Sequence, residues 1–285
     1  MNGILLINKE SGLSSNAVIQ QIKKTLGIKK IGHAGTLDPF ATGLLVVLLN
    51  EATKISDYLL NQDKEYAGEV TLGIATDTED STGKVISEAL VKGPLEVDPV
   101  LVSLHGKQKQ YPPMYSAIKI DGKKLYQLAR AGKIVEREER EVDIDELVRI
   151  SDVFFEEGRA RFSFRARVSK GTYIRSLAVE IGRRLGYPAH LSRLERIRSG
   201  SFSLNEAATL ADLETGNYRI INMLEALKNY PQIEVDPELK GKVLNGRPLS
   251  EQFNGEALIV FKEREQLLAI YKYIEGKYRA ARVWN

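Results

Sequence analysis

The hydrophobic positions of the chain follow two different periods, and together they predict interspersed strands and helices. Residues 4–7 and 44–49 are apolar runs with the length of buried strands. Residues 159–168 alternate apolar and polar side chains, which predicts a strand with one apolar and one arginine-rich face. Residues 174–185 instead repeat apolar side chains at helical spacing and end at Gly186. Because no strict βαβ rhythm is present, we predict an α+β fold around a mixed sheet.

The pattern changes near residue 230. A short helical stretch at residues 239–244 is followed by short apolar runs at residues 258–261, 267–273 and 278–283, separated by glycine and charged turns. Short strands at such spacing are typical of a small β-barrel. We therefore predict two domains, residues 1–229 and residues 230–285.

Composition narrows the possible chemistry. The chain has no cysteine, which excludes disulfides and thiolate nucleophiles, and its three histidines are far apart, which does not favour a zinc site. Neither a P-loop nor a dinucleotide-binding glycine motif is present. We expect no metal, no cofactor and no membrane span, and we expect a cytoplasmic protein because the first residues do not resemble a signal peptide. The net charge of +3 permits an anionic partner.

The densest candidate for a site is the glycine-rich segment of residues 32–43. Its glycines allow tight turns, and Pro39 biases Asp38 toward an extended backbone that projects the carboxylate from a fixed loop. The alternative is an ordinary turn in which Asp38 caps a neighbouring residue. No second acid follows at a fixed spacing, so a glycosidase-like pair is not supported.

A second candidate is the segment of residues 170–176. It places Tyr173 and Arg175 in the first turn of the predicted helix, and both point away from the apolar stripe that starts at Ile174. A guanidinium in that position can hold a carboxylate with two hydrogen bonds. The alternative is an ordinary solvated arginine beside a half-buried tyrosine.

Other polar segments have weaker signals. Tyr66 lies on the apolar face of a predicted strand, where a tyrosine is most often part of the core. The acidic segment of residues 77–83 is predicted to be a solvated turn. The arginine face of residues 159–167 and the arginine run of residues 193–198 favour contacts with phosphates.

Taken together, five segments resemble the TruB family, the bacterial tRNA pseudouridine-55 synthases. They occur in the family's order, at residues 32–43, 64–83, 111–119, 125–132 and 170–185. The resemblance implies a pseudouridine-synthase fold with a mixed, largely antiparallel sheet flanked by helices. The last 55 or so residues resemble the family's small C-terminal PUA-like β-barrel, which implies an RNA-binding domain.

The resemblance also implies roles for single residues. Asp38 matches the catalytic nucleophile, Arg175 the arginine that pairs with it, and Tyr173 a second tyrosine of the base pocket. The implied substrate-binding residues are Tyr66, which stacks on the flipped uracil, Leu194, which lines the pocket beneath the base, and His33, which enters the T-loop.

The function that follows is isomerisation of uridine 55 in the T-loop of tRNA to pseudouridine, with base flipping. The partner is the T-arm stem-loop, and we expect a monomer without an obligate protein partner. Two alternatives stay open: an RNA-guided relative that works with protein partners, and a non-catalytic RNA-binding protein or tRNA-folding chaperone. Asp38 discriminates against the second, because binding alone has no need of a carboxylate beside phosphates.

Overall fold

The computed structural model of the protein describes residues 1–116, 118–120, 122–133, 135–250, 253 and 255–284. The strands are β1 Gly3–Lys9, β2 Ile31–His33, β3 Thr42–Leu49, β4 Lys64–Leu72, β5 Ile74–Thr76, β6 Val85–Glu88, β7 Gly106–Gln110, β8 Lys119–Ile120, β9 Lys123–Lys124, β10 Arg140–Arg149, β11 Phe154–Glu156, β12 Arg159–Val168, β13 Ala189–Ser199, β14 Phe202–Ser203, β15 Ile220–Ile221, β16 Gln232–Glu234, β17 Leu258–Glu263, β18 Gln266–Ile274 and β19 Lys277–Val283. The helices are α1 Ser15–Leu26, α2 Ser56–Leu60, α3 Val97–Val102, α4 Leu125–Arg130, α5 Ile174–Leu185, α6 Leu210–Thr215, α7 Met223–Ala226 and α8 Pro237–Leu244, with 3-10 turns at Asn50–Ile55 and Leu204–Glu206.

One large mixed sheet organises the main part of the molecule. Its central order is β15-β1-β3-β13-β4-β12-β10-β7, with β2, β11 and β14 attached at the side. Within the described residues its neighbours are antiparallel, except that β3 and β13 run parallel, with Thr42 opposite Glu195 and Gly43 opposite Arg196. The segment of residues 34–41 enters the sheet at this parallel seam.

Two helices cover one face of the sheet, and local signals set their ends. The Ser14 side chain accepts a hydrogen bond from the backbone of α1, and Gly27 ends the helix in the left-handed conformation. Gly186 ends α5 in the same way. The apolar stripes of both helices belong to one hydrophobic cluster with residues of the sheet, and this cluster also contains Tyr66 and Leu194.

The C-terminal residues form a second, four-stranded sheet in the order β16-β17-β18-β19. A second hydrophobic cluster joins this sheet to the opposite face of the main sheet. It combines Ile4 and Leu44 from β1 and β3 with Ile270 from β18 and with Trp284. The small sheet therefore shares a core with the central strands of the large one.

These observations confirm the predicted α+β class and the largely antiparallel mixed sheet. The strand with an arginine-rich face is β12, and the predicted C-terminal strands are present. The boundary between residues 229 and 230 stays a prediction, since the second cluster packs residues from both sides of it. Among the helices of the described segments, none is long and apolar enough to cross a membrane.

The shared core leads to a prediction about stability. Trp284 is buried, and its backbone amide donates to the Leu268 carbonyl at 2.8 Å, while the Lys54 ammonium lies 5.7 Å from the centre of its ring. Trp284→Ala is expected to lower the free energy of unfolding by about 3 kcal/mol, because a large buried side chain leaves a cavity. Trp284→Phe is the control and should lose about 1 kcal/mol.

Urea unfolding followed by circular dichroism measures both variants, since Trp284 is the one tryptophan of the chain and fluorescence changes with the substitution. Both proteins should unfold in a single transition. An unchanged midpoint in Trp284→Ala, or a separate early transition of the C-terminal sheet, contradicts the shared core.

Candidate active site

The loop that carries Asp38 is held from below by a buried arginine. Arg196 on β13 is 1% exposed, and its guanidinium donates to the carbonyls of Leu44 at 2.7 Å, Gly35 at 3.0 Å and Thr36 at 3.5 Å. At the seam a Cβ atom on Gly43 would lie 2.5 Å from the Arg196 carbonyl oxygen, and Gly43 has a φ of +96°. Only glycine fits there without moving the strands apart.

The other side of the loop is held by residues from β1 and the start of α1. The Ser15 hydroxyl accepts from the Leu37 amide at 2.8 Å and is also 3.0 Å from the Leu37 carbonyl, to which it donates. The buried Lys9 ammonium donates to the carbonyls of Leu13 at 2.8 Å and Pro39 at 3.2 Å. Burial lowers the pKa of Lys9 to about 8, although the Asp38 carboxylate opposes this effect. Asp38 therefore sits in a loop whose backbone is fixed on both sides.

Asp38 and Arg175 form a bidentate pair. The Arg175 Nε lies 2.8 Å from Asp38 Oδ2, and Nη2 lies 3.2 Å from Oδ1. Arg175 also donates to the carbonyls of Thr78 at 3.0 Å and Tyr115 at 2.9 Å. Its side chain is 4% exposed, whereas that of Asp38 is 33% exposed. The predicted pairing is present, and the alternatives of a solvated arginine and of an Asp38 turn cap do not describe this geometry.

The electrostatics of Asp38 are a balance of opposing effects. Burial raises the pKa of the Asp38 carboxyl above its ordinary value, the Arg175 guanidinium lowers it, and the Asp80 carboxylate raises it again. Arg175 thus supports the ionised form of a carboxylate that its surroundings disfavour.

The acidic turn of residues 77–83 is solvated only in part, because Asp77 is exposed and Asp80 is buried, so the prediction of a solvated turn is wrong for Asp80. Asp80 is 5% exposed, and its carboxylate accepts from the Thr78 hydroxyl at 2.8 Å and from the amide and hydroxyl of Thr82 at 2.9 and 2.6 Å. Its second oxygen lies 3.8 Å from Arg175 Nη1. The turn packs behind Arg175 on the side away from Asp38. The sequence of the turn gives no sign that Asp80 contacts Arg175, because the two residues lie almost a hundred positions apart.

The predicted pocket residues lie in the apolar cluster beside the loop. Tyr66 and Leu194 are buried together with Leu37, and Leu194 pairs with Gly68 across β13 and β4. The burial of Tyr66 agrees equally with a core tyrosine, so its role as a stacking surface stays a prediction. A Cβ atom on Gly68 would lie 2.6 Å from the Phe164 ring, so this position leaves no room for a larger residue.

The helical pattern predicted Tyr173 in the first turn of the helix. In the structure Tyr173 instead immediately precedes α5. Its amide donates to the Gln110 side-chain oxygen at 2.8 Å, and its carbonyl accepts from the Gln110 side-chain nitrogen at 2.9 Å. Burial raises the pKa of the Tyr173 hydroxyl, which therefore stays protonated at neutral pH. Tyr173 is fixed two residues before Arg175 and brings a protonated hydroxyl to the site.

His33 lies at the end of β2, five residues before Asp38. Burial lowers the pKa of its imidazole, and the nearby Arg196 lowers it further, so the ring is neutral at pH 7. Its Nδ1 atom is buried without a hydrogen-bond partner among the described residues. The histidine flanks the start of the loop and is not part of the Asp38–Arg175 pair.

Most of the arginines predicted to contact phosphates form ion pairs or hydrogen bonds within the protein. On β12, Arg165 lies 2.9 Å from Glu146, Arg161 lies 3.3 Å from Glu156, and Arg167 pairs with Asp145. Arg196 is buried beneath the loop, so its prediction as a phosphate contact is wrong. The alternating pattern identified the face of the strand correctly but not the acids on the neighbouring strands.

The site thus presents one partly exposed carboxylate, fixed by a buried guanidinium, in a loop whose Leu37 shares an apolar cluster with Tyr66 and Leu194. Such a carboxylate can act as a nucleophile or as a base toward a planar group that enters the pocket. Arg175, Asp80 and Arg196 hold the carboxylate and its loop in place.

Comparison with known proteins identifies related chains. Residues 23–174 match the family described as TruB family pseudouridylate synthase (N terminal domain), and residues 175–230 match the tRNA pseudouridylate synthase B C-terminal domain. The tRNA pseudouridine synthase B of Halalkalibacterium halodurans is 44% identical over 282 residues, spanning 95% of this chain and 93% of that protein. The protein of the same name from Bacillus subtilis is 43% identical over 286 residues, spanning 95% of this chain and 93% of that protein.

A solved structure shares the fold. A chain of the structure described as "Crystal Structure of a Cbf5-Nop10-Gar1 Complex" has a TM-score of 0.71 and 26% identity, and the match covers 99% of this chain and 84% of that chain. These matches confirm the fold class predicted from the sequence.

The Asp38–Arg175 pair leads to a prediction about pH. Arg175→Met should raise the pKa of Asp38 further, because the largest effect that lowers it is removed. It should also lower the free energy of unfolding at neutral pH by about 3 kcal/mol, since the Thr78 and Tyr115 carbonyls lose their donor and the carboxylate loses its partner. Both folded-state pKa values of Asp38 lie above the ordinary value of an aspartate, and that of the variant is the higher. The ionised carboxylate therefore contributes fully to this deficit only above the pKa of the variant, and the deficit should shrink as the pH falls through that raised pKa toward the pKa of wild type.

The measurement is a carbon NMR titration of the aspartate carboxyls together with urea unfolding at several pH values. Arg175→Lys is the matched control, because it keeps a cation and should shift the pKa of Asp38 less. If the loss in free energy of unfolding stays constant between about pH 3 and pH 8, ionisation of Asp38 plays no part in it.

Proposed function

This chain belongs to the TruB family of pseudouridylate synthases, and we propose that it converts uridine 55 in the T-loop of tRNA to pseudouridine. Membership in this family makes the chain an enzyme and sets aside the alternative of a protein that only binds RNA. The two relatives named tRNA pseudouridine synthase B span 95% of the chain, which supports tRNA as the substrate. The observation that carries the proposal is the Asp38 carboxylate, which the buried Arg175 fixes in a loop that packs with Tyr66 and Leu194 through Leu37.

The reaction needs no added group. The bond between N1 of uracil and C1′ of the ribose breaks, the uracil rotates, and a bond forms between C5 and C1′. A proton then leaves C5 and N1 takes up a proton, so the product is an isomer of the substrate. Asp38 can start the reaction in two ways, by attacking the ribose or by removing a proton from it. Both routes require an ionised and accessible carboxylate, and both agree with a side chain that is 33% exposed and paired with Arg175.

The base must leave the T-loop before Asp38 can reach its ribose. We propose that the flipped uracil stacks on Tyr66 and rests on Leu194. Stacking of a base on an aromatic ring stabilises such complexes by about 1–3 kcal/mol. The neutral His33, at the start of the loop, enters the T-loop and compensates for the flipped nucleotide.

Tyr173 completes the proposed pocket. Its hydroxyl is protonated, and its backbone is fixed by Gln110 two residues before Arg175. We propose that this hydroxyl lies beside C5 of the rotated base and relays the proton that leaves C5, taking it up while it gives its own proton to water. The cytoplasmic location and the monomeric state expected from the sequence stay predictions.

The test of the function is incubation of the purified protein with an unmodified tRNA transcript in EDTA. Pseudouridine is then located by carbodiimide treatment and primer extension. A single stop that reports position 55 supports the proposal. Modification at another uridine, or none, contradicts it.

Asp38→Asn is predicted to abolish turnover and to leave tRNA affinity within about tenfold, or roughly 1.4 kcal/mol. The amide keeps the shape of the carboxylate but is not a nucleophile, and the other nearby acid, Asp80, is occupied by Thr78 and Thr82. Single-turnover assays and filter binding measure the two quantities. Substantial turnover by this variant would falsify the assignment of Asp38.

Tyr66 is predicted to act through its ring. Tyr66→Phe should therefore keep most of the activity, and Tyr66→Leu should lose at least tenfold in the single-turnover rate, because only leucine removes the stacking surface. Circular dichroism melts check that both variants fold, since Tyr66 is also part of the core. An equal loss in both variants means that the hydroxyl matters and that stacking does not explain the role of Tyr66.

A further inference from the structure

One tract of the chain carries an excess of positive charge. Residues 11–37 contain the four lysines Lys23, Lys24, Lys29 and Lys30, and no aspartate or glutamate. The whole chain has 41 lysines and arginines and 38 acids, so outside this tract 37 basic residues face 38 acidic ones. The net positive charge of the protein therefore comes from this tract, which immediately precedes Asp38.

The fold brings the four lysines, the lysine cluster, onto one surface. Lys23 and Lys24 lie in the last turn of α1, and the chain then folds back at Gly27, so that the Ile28 amide donates to the Lys23 carbonyl at 3.1 Å. This hydrogen bond places Lys29 and Lys30 beside the end of the helix. All four are exposed.

The lysine cluster is free of acidic partners in the described part of the chain. No ion pair within 4.0 Å involves any of its members there. Lys30 lowers the pKa of Glu51, but the main partner of that carboxylate is Lys54 at 2.6 Å. The arginines of β12 differ, since three of them face acids on neighbouring strands. Free cations are better placed than paired ones to neutralise phosphates.

The lysine cluster is connected to the site at both ends of its tract. Helix α1 begins at Ser15, whose hydroxyl is bonded to Leu37 in the Asp38 loop, and β2 leads from the cluster back to His33. At 1.5 Å per residue, Lys23 lies about 12 Å along the helix from Ser15. The phosphates of an RNA stem are spaced by a few ångströms, so a surface of this length can contact more than one of them.

We propose that the lysine cluster binds the phosphate backbone of the tRNA stem next to the flipped nucleotide, an interface that rests on the proposed function. Charge complementarity favours a polyanion over a neutral partner. The apolar side of α1, with Val18, Ile19 and Ile22, is buried in the core, so the helix has no apolar face to insert into a lipid surface. The arginine face of β12 contributes much less to binding than the sequence pattern suggests.

The test replaces all four lysines of the cluster by glutamine and compares binding of an unmodified tRNA transcript over a range of salt concentrations. The matched control replaces four exposed lysines elsewhere, Lys84, Lys92, Lys228 and Lys277, and removes the same charge. Each lost phosphate contact makes the slope of log affinity against log salt shallower by about 0.9, so the cluster variant should lose about 3–4 units of slope. Between roughly 50 and 200 mM salt, wild type should then lose about 100-fold more affinity than the variant.

The single-turnover rate at saturating tRNA should be unchanged in both variants, because neither set of lysines touches the reacting atoms. An unchanged slope in the cluster variant, or an equal change in the control, overturns the proposal. So does equally strong, lysine-dependent binding to vesicles that contain anionic phospholipid. If the slope falls as expected but wild type forms no pseudouridine, the RNA interface is supported and the proposed reaction is the part that fails.

Discussion

A buried charge that is solvated only by backbone carbonyls fixes the site. The Arg196 guanidinium lies beneath the loop and donates to Gly35, Thr36 and Leu44, with no carboxylate within ion-pairing distance among the described residues. Moving the loop would leave this cation without partners in the protein interior, at a cost of several kcal/mol. The Asp38 loop is therefore rigid because its displacement would leave a buried charge without partners, and not only because its turns are tight.

The rigid loop also fixes the distance between the Asp38 carboxylate and Arg175, on which the pKa of Asp38 depends. Burial raises the pKa of Asp38, and Arg175 opposes that effect through two hydrogen bonds whose geometry depends on a loop that does not move. Asp80 stands behind Arg175, with its own carboxylate held by Thr78 and Thr82. The carbonyls of Thr78 and Tyr115 also accept from Arg175, so the guanidinium holds the Asp38 carboxylate in one direction.

The sequence was most informative where signals are local. The end of α5 followed from Gly186, and the resemblance paired Asp38 with Arg175, whose side chains form a bidentate contact. It was least informative for long-range partners. Nothing local distinguishes the buried Arg196 from the exposed arginines around it, and an arginine-rich face shows no sign of the acids that a neighbouring strand supplies.

The parallel seam has a consequence for how the protein is made. Arg196 and the Leu44 carbonyl that it holds are 152 positions apart in the chain. Contacts of such high contact order form late, because a long loop must close first. During synthesis from the N-terminus, the segment with Asp38 emerges well before β13, so an incomplete nascent chain lacks the cation that orders it. A chain that ends before β13 therefore lacks the side chain that holds the Asp38 loop, and this loop can become ordered only after residues 189–199 have been made.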